Sequence, residues 1–139
     1  MPINNSPESI KEVVGGVSNG SELFVIDQHG VKWKALKELM ERVKLGIEAL
    51  AFSRVLKEVG ASQELVNDYP ETPNLFNYLQ AEKNSWLQEQ LQEGADEETI
   101  RKELRDLFFR FALEGAENVE VIQNEIEKTD YSAYQWEKA

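Results

Sequence analysis

The stretch ALKELMERVKLGIEALAFSRVLKEV, residues 35–59, decides the fold class. Leu36, Leu39, Met40, Val43, Ile47 and Leu50 recur at spacings of three and four, the stripe of an amphipathic helix. A second stripe follows: Leu45, Ala49, Phe52, Leu56 and Val59. Two stripes on one long helix imply burial on two sides, or a dimer contact added to a core contact. A homodimer is therefore expected. Gly46 sits at the changeover, where it marks a bend or the close packing of a neighbour, at a cost of about 1 kcal/mol relative to Ala. Gly60 suits the C-terminal stop.

Upstream, Glu22-Leu23-Phe24-Val25-Ile26 is the most β-like segment, and Val31-Lys32-Trp33-Lys34 alternates apolar and charged. Asp27-Gln28-His29-Gly30 between them has turn chemistry, with Gly30 at the positive-φ position of a small β-hairpin. A lone hairpin is marginal in water, so it must pack on helices or pair with another edge. Before it, Ser6 and Pro7 open a short helix with Ile10, Val13 and Val14 on one face, ended by Gly15-Gly16.

Downstream the pattern stays helical. Ser62 caps a short helix over 63–68, and Tyr69-Pro70-Glu71-Thr72-Pro73 breaks the chain. Thr72-Pro73 starts a helix reaching about Glu93, with Leu75, Phe76, Leu79, Trp86, Leu87 and Leu91 inward and a polar middle over 81–85. Asp96 caps the next helix, whose apolar face is Ile100, Leu104, Leu107, Phe108 and Phe111, and Gly115 ends it. Asn118 caps a last helix with Val119, Ile122 and Ile126 inward. The tail residues Tyr131, Tyr134 and Trp136 are helical in spacing. The expected architecture is mainly α: a compact bundle of five to six helices with a small N-terminal β-hairpin, in one domain over 1–139. Residues 1–5 and the extreme C-terminus are expected to fray.

Composition narrows the function. The chain has 139 residues, 15 Lys+Arg against 26 Asp+Glu, one His and no Cys. A disulfide-stapled fold, thiolate zinc sites and Cys nucleophiles are excluded. No run approaches the roughly 18 apolar residues of a spanning helix, and the first sixteen residues lack the basic and apolar regions of a signal peptide. The cytoplasm, of a cell or of a virus's host, is the expected compartment.

The catalytic inventory is thin. His29, the single histidine, lies in the expected turn, where a structural or solvated role fits it. No phosphate-binding glycine loop or nucleophile elbow is present. A di-metal bundle site wants Glu-x-x-His on two helices, which one histidine cannot supply. Asp96-Glu97-Glu98 fits helix N-terminal charge better than a calcium loop. No enzyme activity, cofactor or metal is expected.

Charge is the most informative feature. Residues 1–59 hold 8 Lys+Arg and 8 Asp+Glu, whereas residues 60–139 hold 7 and 18, so the whole net charge of −11 sits in the second half. The expected function is non-catalytic: an inhibitor, adaptor or assembly factor that occludes a basic surface of another protein. Its contact residues would be Glu114, Glu117, Glu120, Glu125, Glu127 and Asp130, with Tyr131, Tyr134 and Trp136 as anchor. The alternative is a structural or nucleic-acid-handling oligomer, such as a phage-type assembly or packaging subunit. It would use Lys32, Lys34, Lys37, Arg42 and Lys44 within the basic 32–57 segment. Direct nucleic-acid binding ranks second because the remaining field repels phosphate.

Overall fold

Residues 5–62 and 74–139 are described by the structure, a computed structural model. The elements run β1 (Glu12–Gly15), β2 (Leu23–Ile26), β3 (Lys32–Ala35), α1 (Lys37–Glu58), α2 (Leu75–Ala81), α3 (Ser85–Gln92), α4 (Glu97–Glu117), α5 (Val119–Glu127), a 3-10 turn (Tyr131–Ala133) and β4 (Trp136–Lys138). Helices predominate, as the sequence implies. The expected helix over 63–68 and the break at 69–73 lie outside the described residues.

Two compact units divide these elements: unit 1 is Met1–Ile47 with Leu113–Ala139, and unit 2 is Glu48–Ala112. The boundaries fall within α1 and within α4.

Unit 1 is built on the hairpin, but the hairpin is only half of a sheet. Four antiparallel strands lie in the order β1-β2-β3-β4. Glu12 opposes Ile26, Phe24 opposes Lys34, and Ala35 opposes Trp136. The two outer strands correct two sequence expectations. The segment expected as an opening helix gives β1 instead. Val13 and Val14 are β-branched, and only Val13 points inward, an alternation of period two. The tail expected as helical gives β4, because three aromatic positions at helical spacing cannot outweigh a free β3 edge and an apolar face needing cover.

Gly15 makes the β1–β2 connection possible. It has φ +99°, and a Cβ there would overlap the Glu22 carbonyl oxygen. One sheet face carries Val13, Leu23, Val25, Trp33, Ala35 and Trp136, all buried. Against it pack Leu39, Val43 and Ile47 of α1, Ala116 of α4, and Ile122 and Ile126 of α5. Asn118 caps α5, its Oδ1 accepting from the N–H groups of Glu120 (3.0 Å) and Val121 (3.3 Å). α4 does not stop at Gly115. That glycine lies where a Cβ would come within 2.7 Å of the Ile47 side chain, so it serves close approach rather than termination.

Unit 2 is helical. Its core joins Ala51, Phe52, Val55, Leu56 and Val59 of the 35–59 stretch to Leu75, Phe76 and Leu79 of α2, Leu87 of α3, and Ile100, Leu104 and Phe111 of α4. The expected single helix to Glu93 is two helices. The polar middle is the break: Lys83 takes φ +56°, and Asn84 starts α3 by accepting the Leu87 N–H at 3.0 Å. Asp96 begins α4 in the same way, accepting the Thr99 N–H at 2.8 Å.

Candidate interaction surfaces

The carboxylates singled out in the sequence belong to unit 1. Glu114 and Glu117 lie on the last turns of α4, Glu120 and Glu127 on α5, and Asp130 follows α5; all five are exposed. Glu125 differs. It is buried, its carboxylate occupies the space a Cβ would take on Gly46, and it pairs with Lys128 at 2.8 Å. The glycine thus marks a close neighbour, and that neighbour is Glu125. Lys128 is the single cation within the sequence 114–130.

The three tail aromatics are placed on unit 1's own core. Trp136 is buried and donates its indole N–H to the Tyr131 carbonyl at 2.9 Å. Tyr131 and Tyr134 are half-buried against the same core, and the Tyr131 hydroxyl donates to the Glu8 carbonyl at 3.3 Å. The Trp136 ring is therefore occupied within the fold.

Of the basic residues, Lys34 pairs with Glu22 (3.4 Å), Lys37 with Glu41 (3.9 Å), and Lys32 sits 4.4 Å from the centre of the Phe24 ring. Arg42 and Lys44 project from exposed positions on α1. The fold also redistributes the charge that the sequence divides so sharply. Unit 1 has 8 Lys+Arg and 13 Asp+Glu, and unit 2 has 7 and 13, so the nets become −5 and −6. Lys32, Lys34, Lys37, Arg42 and Lys44 share unit 1 with α5 and the end of α4. Leu45 and Leu50, which motivate the expected dimer, are exposed.

His29 is exposed and lies 3.6 Å from the Glu8 carboxylate, also exposed. Its neighbour Asp27, which the sequence marks only as part of the turn, is the organising group. Asp27 is buried; its Oδ1 accepts the N–H groups of His29 (2.9 Å) and Val31 (3.0 Å), and its Oδ2 accepts the Trp33 indole N–H (2.9 Å). The indole donor, joined by the two backbone donors, outweighs burial and holds the carboxyl below its ordinary range. An Asp three residues before a positive-φ glycine was the available signal.

Two concavities stand out among the described residues of unit 2. One of about 350 Å³ is lined by Leu75, Phe76 and Leu104 with Arg101 and Arg105. Arg101 is tied to Glu97 (2.7 Å) and Asn74 (2.9 Å) and stacks 4.9 Å from the Phe76 ring centre. The other, about 510 Å³, has Trp86, Val59 and Leu107 among its walls and Glu58, Glu103 and Asp106 among its polar groups. Asn84 builds it: while capping α3 it donates its Nδ2–H to the Val59 carbonyl at 2.9 Å, which fixes Trp86 beside the end of α1. The sequence signal was an Asn two residues before a Trp at the end of a polar run.

Among the described residues, no group of three or more His, Cys, Asp or Glu side chains could hold a metal ion. No described helix is long and apolar enough to cross a membrane. No family model, curated protein or solved structure matches the chain.

Proposed function

We propose that this protein acts without catalysis, by direct contact with another protein, and that exposed carboxylates on unit 1 meet a basic surface of that partner. The observation that carries this reading is the run Glu114, Glu117, Glu120, Glu127 and Asp130, exposed on or beside two helices, in a stretch of sequence (114–130) whose one cation is Lys128. Carboxylates on rigid helices make a preorganised negative face, which accelerates encounter with a basic partner and suppresses acidic ones. Such a protein would serve as an inhibitor, adaptor or assembly factor. Tyr131 and Tyr134 are half-buried against the core of the same unit, and Trp136 is not offered to the partner, since it is buried in that core.

The nucleic-acid alternative draws less support. Of the five named residues, Lys34 and Lys37 are each paired with a carboxylate and Lys32 lies over the Phe24 ring, which leaves Arg42 and Lys44. Few phosphate contacts could be made against a net charge of −11.

A tagged pull-down from native-host lysate tests the reading, with wild type beside the Glu117→Lys/Glu120→Lys/Glu127→Lys variant. All three positions are exposed, so the variant should fold. We expect one stoichiometric protein, retained after nuclease treatment, whose association slows at least about tenfold with the variant and loses its salt dependence. Equal capture by both proteins would sink the acidic-face reading. Recovery abolished by nuclease would transfer the role to Arg42 and Lys44.

A further inference from the structure

The groove beside Trp86 in unit 2 is chemically unlike the acidic face. We infer that it is a docking site for an arginine side chain presented by a partner segment. The inference rests on the reading above only in the sign of the partner's charge.

Three observations fit this occupant. The concavity of about 510 Å³ exceeds what one side chain needs, so a short segment of backbone can enter with it. Trp86 stands half-buried at the groove, offering an indole, the best aromatic surface for a cation. Glu58, Glu103 and Asp106 line the same space, and none of the three has an ion-pair partner among the described residues.

The helical geometry aims these groups together. Glu103, Asp106 and Leu107 share one face of α4, at spacings of three and four. Glu58 is the last residue of α1, and Asn84 ties the start of α3 to the adjacent Val59 carbonyl. Arg110 also lines the groove, but its guanidinium lies 5.1 Å from the centre of the Phe111 ring. Three carboxylates against that one cation leave the site negative.

The partner chemistry follows. A guanidinium is planar, weakly hydrated and able to stack while donating to carboxylates on either side. An ammonium would gain the charge attraction without the planar stacking. An anionic or purely apolar segment would leave three carboxylates uncompensated.

The test uses the whole chain and two blocked tripeptides, acetyl-Gly-Arg-Gly-amide and its citrulline counterpart, which has nearly the same shape and no charge. Each is titrated while the three indole N–H resonances are followed by NMR. Trp33 and Trp136 serve as internal controls, because both donate their indole N–H inside unit 1. The arginine peptide should move the Trp86 resonance alone and the citrulline peptide should not. Binding should weaken about tenfold in Glu103→Gln/Asp106→Asn and again in about 0.5 M salt. Both positions are exposed, so the variant keeps its fold.

The inference is overturned if the arginine peptide leaves Trp86 unmoved up to about 10 mM, near the weakest contact worth the name. It is equally overturned if citrulline acts as well, or if the variant binds as tightly as wild type. Glu117→Lys/Glu120→Lys/Glu127→Lys should bind the tripeptide normally, so a failure of the acidic face and a failure of this groove are read separately.

Discussion

Unit 1 and unit 2 solve the same problem, burying apolar residues of one chain, from opposite kinds of sequence information. The core of unit 2 draws on described residues between 51 and 111, from helices met in order. The core of unit 1 joins residues 10–47 to residues 116–136, the two ends of the chain. Its sheet needs β4 from the C-terminal end to cover β3. Local periodicity therefore goes far toward specifying unit 2. In unit 1 the same signals leave open which strands complete the sheet. The buried polar groups differ as well: Ser6, Asp27 and Glu125 in unit 1, Asn84 in unit 2. In each unit one of them, Asp27 or Asn84, fixes the point where the chain changes direction.

The largest expected effect tests the long-range closure. Trp136→Ala should cost about 3–5 kcal/mol, the usual range for emptying a buried tryptophan site. Hydrogen exchange should show the loss concentrated at β1–β4 and α5. Equal loss of protection at residues 51–59 and 85–104 would merge the two cores into one cooperative unit and break the comparison.

Unit 2 has its own counterpart in Asn84. Asn84→Ala removes a helix cap worth about 1 kcal/mol and leaves the Val59 carbonyl short of a donor. Together the loss should be about 2–3 kcal/mol by denaturant titration. Asn84→Asp keeps an acceptor for the Leu87 N–H but cannot donate to Val59, so it should recover only part of the loss. Full recovery would mean that the cap alone matters, and that the tie to α1 contributes nothing.

These two sites also show how far the sequence could be read. The helical majority, the 35–59 helix, the caps at Asp96 and Asn118, and the β2–β3 hairpin with Gly30 at φ +79° follow from local spacing and turn chemistry. β1 and β4 do not: β1 is too short to show a period, and β4 pairs with β3 about 100 positions away, which leaves no local signal. The pattern Tyr131, Tyr134, Trp136 had helical spacing but too few positions to mean it. The two stripes of the long helix were legible, but not their meaning: Leu39, Val43 and Ile47 enter one core and Phe52, Leu56 and Val59 another. Among the candidate contact residues, Glu125 was indistinguishable from Glu120 by sequence. Only the tertiary position of Gly46 explains why its carboxylate lies inside. The charge split was real in the sequence and vanishes between the units, since the acidic residues 113–139 belong to the same unit as Lys32 to Lys44.

Asp27 sharpens the comparison through pH. Its carboxyl takes up a proton less readily in the folded protein than in the unfolded chain. Stability from this source is therefore fully present above the ordinary carboxylate range. It is lost as the pH falls through that range and down past the lowered folded value. Asp27→Asn should lower the thermal midpoint at neutral pH, with the deficit shrinking toward pH 3. A constant deficit would show that the hydrogen-bond geometry, not the charge, sets the turn. Unit 2 has no buried carboxylate of this kind among the described residues, so Asn84→Ala should show no such pH dependence.

The smallest effect concerns the turn that divides α2 from α3. In unit 1 every described residue with positive φ is a glycine, whereas unit 2 holds one that is not, Lys83 at φ +56°. A side chain in that region costs about 1–2 kcal/mol, and Lys83 is exposed, so no packing offsets it. Lys83→Gly removes the steric cost but adds freedom to the unfolded chain worth roughly 0.5–1 kcal/mol. The balance should be a gain of about 0.5 kcal/mol, or 1–3 °C in the midpoint for a chain of this size. A lower midpoint would mean that the lysine side chain holds the turn through a contact of its own. The break between the two helices would then depend on Lys83 as much as on Asn84.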